Sequence, residues 1–229
     1  MLRAKPLLRS VYEEWYSQIA SAVPDGSGYV IELGSGGDRL RDYLPDLIVT
    51  DVLWYRGLDV CANAESLPIG NKRLRAIVMI NVLHHVPNPR AFFSEAIRCL
   101  APGGVIAMVE PWVTQWSRLV YSLVRHERFD ARALEWGFRS SNPMASSNQA
   151  LPWIIAERDR SVFEASFPAL EIQEIRVQHP FRYLISGGFS FPQLAPGFSV
   201  SFWRALEERL RPWNKKLGLF ALIIMRSRA

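Results

Sequence analysis

Hydrophobic and polar positions divide this chain into two rhythms. Over the first 110 residues, short apolar runs alternate with stretches of helical period. The runs at 29–33, 47–50, 75–80 and 105–109 are of strand length, and the last three stop on Asp51, Asn81 and Glu110. Around them, 6–22 carries apolar or aromatic residues at Val11, Trp15, Tyr16 and Ile19, and 89–100 carries them at Phe92, Phe93, Ala96, Ile97 and Leu100. Such spacings turn one face of a helix toward a core. Pro45 stops a shorter helix predicted over 38–44, and Ala101-Pro102-Gly103-Gly104 stops the one over 89–100. The polar stretch 59–68 reads as a loop. Strands that alternate with helices predict an α/β fold, a doubly wound parallel sheet with helices on both faces.

Beyond Pro111 the alternation is lost. Helices are predicted over 116–135, 152–167 and about 200–210, and strands over 170–177 and 219–225. A polar loop containing Pro143 spans 140–148, and a Gly/Pro/Phe-rich loop spans 186–197. No internal repeat or low-complexity tract interrupts the pattern.

A chain of 229 residues, 49% of them hydrophobic, supplies one large α/β domain with a substantial core and argues against wholesale disorder. Its two cysteines, Cys61 and Cys99, give no disulfide framework and no metal-ligand cluster, which fits a reducing, cytoplasmic compartment. The basic start, 1–9, lacks a continuous apolar stretch, so no signal peptide is expected. The apolar run at 217–225 is far short of the roughly 20 residues that span a bilayer. The net charge of +5 sits in residues 111–229, where 16 Lys and Arg face 10 Asp and Glu; the first 110 residues hold 11 against 12. Six of the eight tryptophans lie in the same basic half. A solvated surface over an aromatic core explains this, and so does an anionic substrate, a membrane surface or nucleic acid.

The candidate chemistry lies at the ends of the strands. After the first strand the chain reads Glu32-Leu33-Gly34-Ser35-Gly36-Gly37-Asp38-Arg39. Glycines there let a backbone approach a ligand where a Cβ would collide. A dinucleotide fingerprint needs a third glycine three positions after the second, and Arg39 stands there. The acid before the loop suits a ligand bearing an amine or a cation. Asp51, the loop Asn63-Ala64-Glu65-Ser66-Leu67-Pro68 and the segment Asn81-Val82-Leu83-His84-His85-Val86 follow further strands. Ligands bind outside the carboxyl ends of such strands, so these segments are expected to converge.

These pieces, in this order, resemble the class I S-adenosylmethionine-dependent methyltransferases, and within them the group of the ubiquinone and menaquinone methyltransferases and many small-molecule O- and N-methyltransferases. The resemblance rests on Val30-Ile31-Glu32-Leu33-Gly34-Ser35-Gly36, Asp51, Ala64-Glu65-Ser66-Leu67-Pro68-Ile69, the segment from Asn81 to Val86, and Arg98-Cys99-Leu100-Ala101-Pro102-Gly103-Gly104, and covers about residues 28–110. It implies a Rossmann-like sheet with an antiparallel last strand, and S-adenosylmethionine as cofactor. Glu32, Gly34, Ser35 and Gly36 would hold the methionine portion, Asp51 the ribose hydroxyls, Val52 the adenine face, Asn63 and Ala64 the adenine edge, and Asn81 the vicinity of the sulfonium. Asp38 in place of the family's third glycine, and Asn63 in place of its usual aspartate, are departures from the pattern.

His84 and His85 are the candidate catalytic residues, with loop shaping as the alternative, and His126 is a further candidate base. Glu32 paired with Arg39, and Asn63 as a plain turn residue, are alternatives to their cofactor roles. A single methyltransferase domain is expected, with 28–110 holding the cofactor, 1–22 and 111–216 the acceptor side, and 217–226 the last strand. Tyr12, Trp15 and Tyr16 are candidates for a lid. The acceptor is expected to be a small molecule or a lipid or glycan intermediate. The aromatic and basic stretch 189–213 is the candidate for peripheral membrane contact. A non-catalytic cofactor-binding subunit is the alternative, and a nicotinamide-dependent oxidoreductase a weaker one, given Arg39 and no evident Tyr-x-x-x-Lys pair. Nucleic acid is not expected as substrate, because the Asn/Asp-Pro-Pro-aromatic motif of amino-group methylation is missing after 75–80.

Overall fold

The computed structural model describes residues 4–36, 39–124, 127–138 and 147–228. Seven strands form one sheet: β1 (Tyr29–Leu33), β2 (Leu47–Asp51), β3 (Val60–Cys61), β4 (Leu74–Ile80), β5 (Leu100–Pro111), β6 (Leu170–Gln178) and β7 (Phe220–Ser227). Their order is β3-β2-β1-β4-β5-β7-β6. The pairs from β3 to β5 are parallel, and β7 runs antiparallel to both β5 and β6. This is the mostly parallel sheet with an antiparallel last strand that the sequence predicts. β3, two residues long, arises inside the stretch read as a loop.

Both faces of the sheet are covered, which is why the central strands are mostly apolar. Successive side chains alternate between the faces. Ile31, Ile77, Met79, Ile106, Met108 and Ile223 join one core with Phe92 and Phe93 of α2 (Pro89–Cys99) and with Phe163. Val30, Ala76, Val78, Ala107 and Val109 join the other with Leu8, Val11, Trp15 and Ile19 of α1 (Pro6–Ala22). Both helices start on proline, whose missing N–H costs nothing at the first helical position. The Asn88 side chain caps α2 by accepting the Ala91 N–H at 3.1 Å.

The later half departs from expectation in three places. The helix predicted over 116–135 ends early: α3 spans Gln115–Leu123 behind a Thr114–Ser117 capping box, and 127–138 is irregular. There Asn148 takes the backbone of Asp130, accepting its N–H at 2.9 Å and donating to its carbonyl at 3.0 Å. Phe129, Ala131 and Trp136 then pack on the core, so distant partners displace the local helix. The helix predicted over 38–44 is a single 3-10 turn, Leu40–Asp42, because too few residues separate the glycine loop from Pro45 to meet the cost of nucleation. The helix predicted over 152–167 is α4 (Leu151–Trp153), a π-helical segment Ile154–Arg158 and α5 (Arg160–Ser166). Asp159, at the break, accepts the Trp136 indole N–H at 2.9 Å. Three further helices, α6 (Arg182–Ile185), α7 (Val200–Arg209) and α8 (Asn214–Leu217), precede β7. Asp38, His126 and most of the 140–148 loop lie outside the described residues.

Candidate active site

Strand register sets the site. Glu32 lies opposite Val49 and Val78, and Ile80 opposite Val109. The carboxyl ends of β1, β2, β4 and β5 therefore share one edge, and Glu32, Asp51, Asn81 and Glu110 stand along it.

The glycine loop is built against that edge. Gly34 and Gly36 both have positive φ, +63° and +57°. A Cβ on Gly34 would meet Val82 Cγ2 at 2.7 Å, whereas one on Gly36 would enter open space. Gly34 is thus required by packing as well as conformation, and Gly36 by conformation, leaving room beside it for a ligand. Buried Ser35 donates its N–H to the Thr50 carbonyl at 3.1 Å, and its hydroxyl bonds to Tyr55. Glu32 is buried, and its carbonyl accepts from the Thr50 hydroxyl at 2.7 Å.

Asp51 holds the next corner. Its Oδ2 accepts the Gly36 N–H at 3.3 Å and its Oδ1 the Leu53 N–H at 3.0 Å. Each oxygen keeps acceptor capacity for a ribose hydroxyl. Val52 and Leu53 are exposed beside it, and Trp54 is exposed further along. Asn63 is exposed and its side-chain carbonyl accepts the Glu65 N–H at 2.9 Å, an Asx turn. The turn role expected as its alternative is therefore present. Ala64 packs on the core, and Glu65 anchors this loop by accepting the Asn88 N–H at 2.8 Å.

The segment after β4 is the most constrained. Asn81 has φ +59°, donates its N–H to the Val109 carbonyl, and reaches the Tyr12 hydroxyl at 3.5 Å. Buried Glu110 accepts the N–H groups of Val82 and Leu83 through one oxygen, at 2.7 Å each. Its other oxygen lies 2.7 Å from His84 Nδ1. A carboxylate only accepts, so Nδ1 carries the proton. On the far side, His84 Nε2 is 3.4 Å from Glu127 Oε2. Burial disfavours the charged imidazole, but Glu110 and Glu127 outweigh it and raise the His84 pKa to about 9. Burial likewise opposes ionisation of Glu127, and the hydrogen bond and charge of His84 overcome it, lowering its pKa to about 2. His84 is enclosed at 2% exposure, whereas the His85 side chain is 29% exposed. Of the two candidate catalytic histidines, only His85 is reachable from solvent.

All three lid candidates are buried. Trp15 is wholly buried in the core, not a lid. Tyr12 reaches Asn81, and its ring meets Phe189 at 5.5 Å. A cavity of about 290 Å³ opens beside it, lined by Arg9, Tyr16, Arg39 and Tyr43 among others. Arg39 pairs with Asp42 at 2.5 Å. A larger cavity of about 510 Å³, over Glu14, His179, Arg182 and Glu207, contains none of the motif residues. Sequence reasoning did not single out Glu110 as a site residue, nor Tyr55 or Glu127. Glu110 alone left a signal, as the acid ending a strand.

Residues 32–108 match a family model described as a methyltransferase domain. No curated protein matches the chain in sequence. Solved structures share the fold. A methyltransferase from Thermotoga maritima, described as a possible histamine N-methyltransferase, aligns at TM-score 0.52 and 16% identity over 100% of both chains. Geranyl diphosphate C-methyltransferase from Streptomyces coelicolor A3(2), solved with Mg2+, geranyl diphosphate and S-adenosylhomocysteine, aligns at TM-score 0.54 and 12% identity over 96% of this chain and 80% of that one. The 4+2 cyclase SpnF aligns at TM-score 0.52 and 18% identity, over 93% and 79%. The matched segment runs from β1 into β5 and carries the glycine loop, Asp51 and the His84-His85 segment, so this part of the chain is similar to a methyltransferase domain.

Proposed function

We propose that this chain is an S-adenosylmethionine-dependent methyltransferase acting on a small molecule or a lipid or glycan intermediate, with residues 28–110 holding S-adenosylmethionine and 1–22 and 111–216 forming the acceptor side. The observation that carries the reading is Asp51 bonded to the Gly36 N–H, which joins the glycine loop and the ribose-binding acid in one frame. The open space beside Gly36 fits the methionine portion, with Glu32, Gly34 and Ser35 around it and Asn81 nearby. Val52, Asn63 and Ala64 lie on the adenine side, where the exposed turn at Asn63 offers its edge. The cofactor supplies the methyl group on its sulfonium, and the protein's task is to hold the acceptor in line with it. Part-exposed His85 is the residue proposed to touch the acceptor, with enclosed His84 packed against its ring. Calorimetry with S-adenosylhomocysteine tests the cofactor half: binding that Asp51→Ala weakens supports it, and no binding by the wild-type protein overturns it.

A second reading concerns the surface that presents the acceptor. Phe198 is 90% exposed, Leu194 76%, and Phe202, one helical turn after Phe198, 63%. Lys216 lies 5.4 Å from the exposed Trp213 ring, and Arg209, Arg211 and Lys215 stand nearby in the chain. Exposed apolar side chains followed closely in the chain by cations suit the headgroup region of an anionic bilayer. No helix among the described residues is long and apolar enough to cross a membrane. Flotation with phosphatidylglycerol vesicles should recover the wild-type protein, and Phe198→Ser/Phe202→Ser should not float; a wild-type protein left at the bottom of the gradient rejects this surface.

A further inference from the structure

Two adjacent histidines after β4 converge with a glutamate from far along the chain. One ligand atom each from His84, His85 and Glu127 lies within 4.8 Å of the others. We propose that these three residues bind a divalent transition-metal ion, with Glu110 as the outer partner that orients His84.

Four observations support the site. The donor set is two imidazole nitrogens and one carboxylate oxygen, which suits zinc, cobalt, iron or manganese and leaves coordination positions open. The Nδ1–H of His84 is held at 2.7 Å by Glu110, itself fixed by two backbone N–H groups, so Nε2 is turned toward Glu127. A ligating histidine is commonly oriented by such a carboxylate. Spacing is the third. Ligand bonds near 2.1 Å set donor atoms roughly 3–3.5 Å apart. His84 Nε2 and Glu127 Oε2 already stand 3.4 Å apart, and His85 Nε2 is 3.9 Å from the same oxygen. The last is access: His84 is buried, while His85 and Glu127 are part-exposed, so an ion enters from their side.

Ion pairing of His84 between Glu110 and Glu127 explains the first histidine. It does not explain why the adjacent ring, 4.2 Å away between centroids, converges on the same carboxylate oxygen. That oxygen also accepts from Ser147 Oγ at 3.3 Å and Gln149 Nε2 at 3.4 Å, contacts that would orient the carboxylate around an ion. Glu127 lies outside the segment matched by the family model, so the triad is a property of this chain's own acceptor side. An ion there would act as a Lewis acid on an acceptor oxygen. That role rests on the function proposed above; ion binding itself does not.

The test is a titration of the metal-stripped full-length protein with Co2+, without cofactor, followed by visible absorption and calorimetry. One equivalent should bind with ligand-field bands, and Zn2+ should displace it. Mg2+, which prefers oxygen donors, should not compete. Glu127→Gln and His85→Ala should each weaken Co2+ binding about tenfold or more, and Glu110→Gln by about 10–100-fold. Asp51→Ala should weaken S-adenosylhomocysteine binding and keep Co2+ binding unchanged, so failure of either site is read independently. Absence of Co2+ and Zn2+ binding in the wild type, or binding that His85→Ala and Glu127→Gln leave unchanged, overturns the proposal; cofactor binding retained in that protein leaves the functional reading standing.

Discussion

Gly34 rests against Val82 so closely that a Cβ on the glycine would come within 2.7 Å of Val82 Cγ2. The contact ties the cofactor loop after β1 to the histidine segment after β4. Gly34→Ala should therefore lose stability twice over, through the +63° φ and through the clash, by about 2–4 kcal/mol in all. Gly36→Ala, with φ +57° and open space, should cost about 1–2 kcal/mol. Val82→Ala should recover part of the Gly34→Ala loss and none of the Gly36→Ala loss. Urea denaturation of the singles and doubles measures the coupling.

Asp51 holds Gly36 and Leu53 by their N–H groups and faces the proposed ribose site. A hydrogen bond to a charged acceptor contributes about 1.5–3 kcal/mol, so Asp51→Ala should weaken S-adenosylhomocysteine about 10- to 100-fold. Asp51→Asn keeps one acceptor oxygen and should fall between the two. Calorimetric dissociation constants give the order.

Glu110 is buried and serves three partners: Val82, Leu83 and His84. Glu110→Ala removes the partner of two backbone N–H groups and of the buried His84 Nδ1–H, and should cost about 3–5 kcal/mol. Glu110→Gln still accepts hydrogen bonds and should cost less. A chemical denaturation midpoint for Glu110→Ala equal to that of the wild type would show that the segment after β4 does not depend on this carboxylate.

A second buried cluster governs behaviour in acid. Arg182 bonds Glu207 through Nε at 2.6 Å and Glu14 through its terminal nitrogens at 2.6 and 2.8 Å, with His179 between the acids and Arg204 on the outer side of Glu14. Burial opposes ionisation of Glu207, and His179 and Arg182 override it, lowering its pKa to about 2; the pKa of Glu14 is also lowered, against its own burial, chiefly by Arg182. A depressed carboxylate pKa stabilises the folded state above the unfolded value and loses that contribution as pH falls through the folded one. The contribution of this cluster should thus be level above pH ~5 and drop between pH ~4.5 and ~2. The urea midpoint, followed across this range, should fall less steeply in Glu207→Gln.

Much of this was legible along the chain. Each predicted strand formed, and all but β5, which starts at Leu100 in place of 105, kept within two residues of its expected bounds, because strand length, burial and alternation are local patterns. The Pro6 and Pro89 helix starts were readable for the same reason. The glycine loop and Asp51 were placed by their position after strands. Helix ends governed by distant partners were not: nothing near Asp130 announces that Asn148 will occupy its backbone. Nor does the spacing of Tyr12, Trp15 and Tyr16 tell which of them faces Asn81 and which fills the core.

The sequence by itself determined the alternation of strands and helices, the glycine corner and the polar residue at or near the end of each early strand. These depend on neighbours within a few positions. Only the tertiary structure decided what those residues hold. Pairing of Ile80 with Val109 brings Glu110 beside the segment after Asn81, and the irregular chain after α3 brings Glu127 to the other side of His84. A carboxylate 26 or 43 residues away along the chain finds its histidine through strand register and core packing, and neither is written in local periodicity.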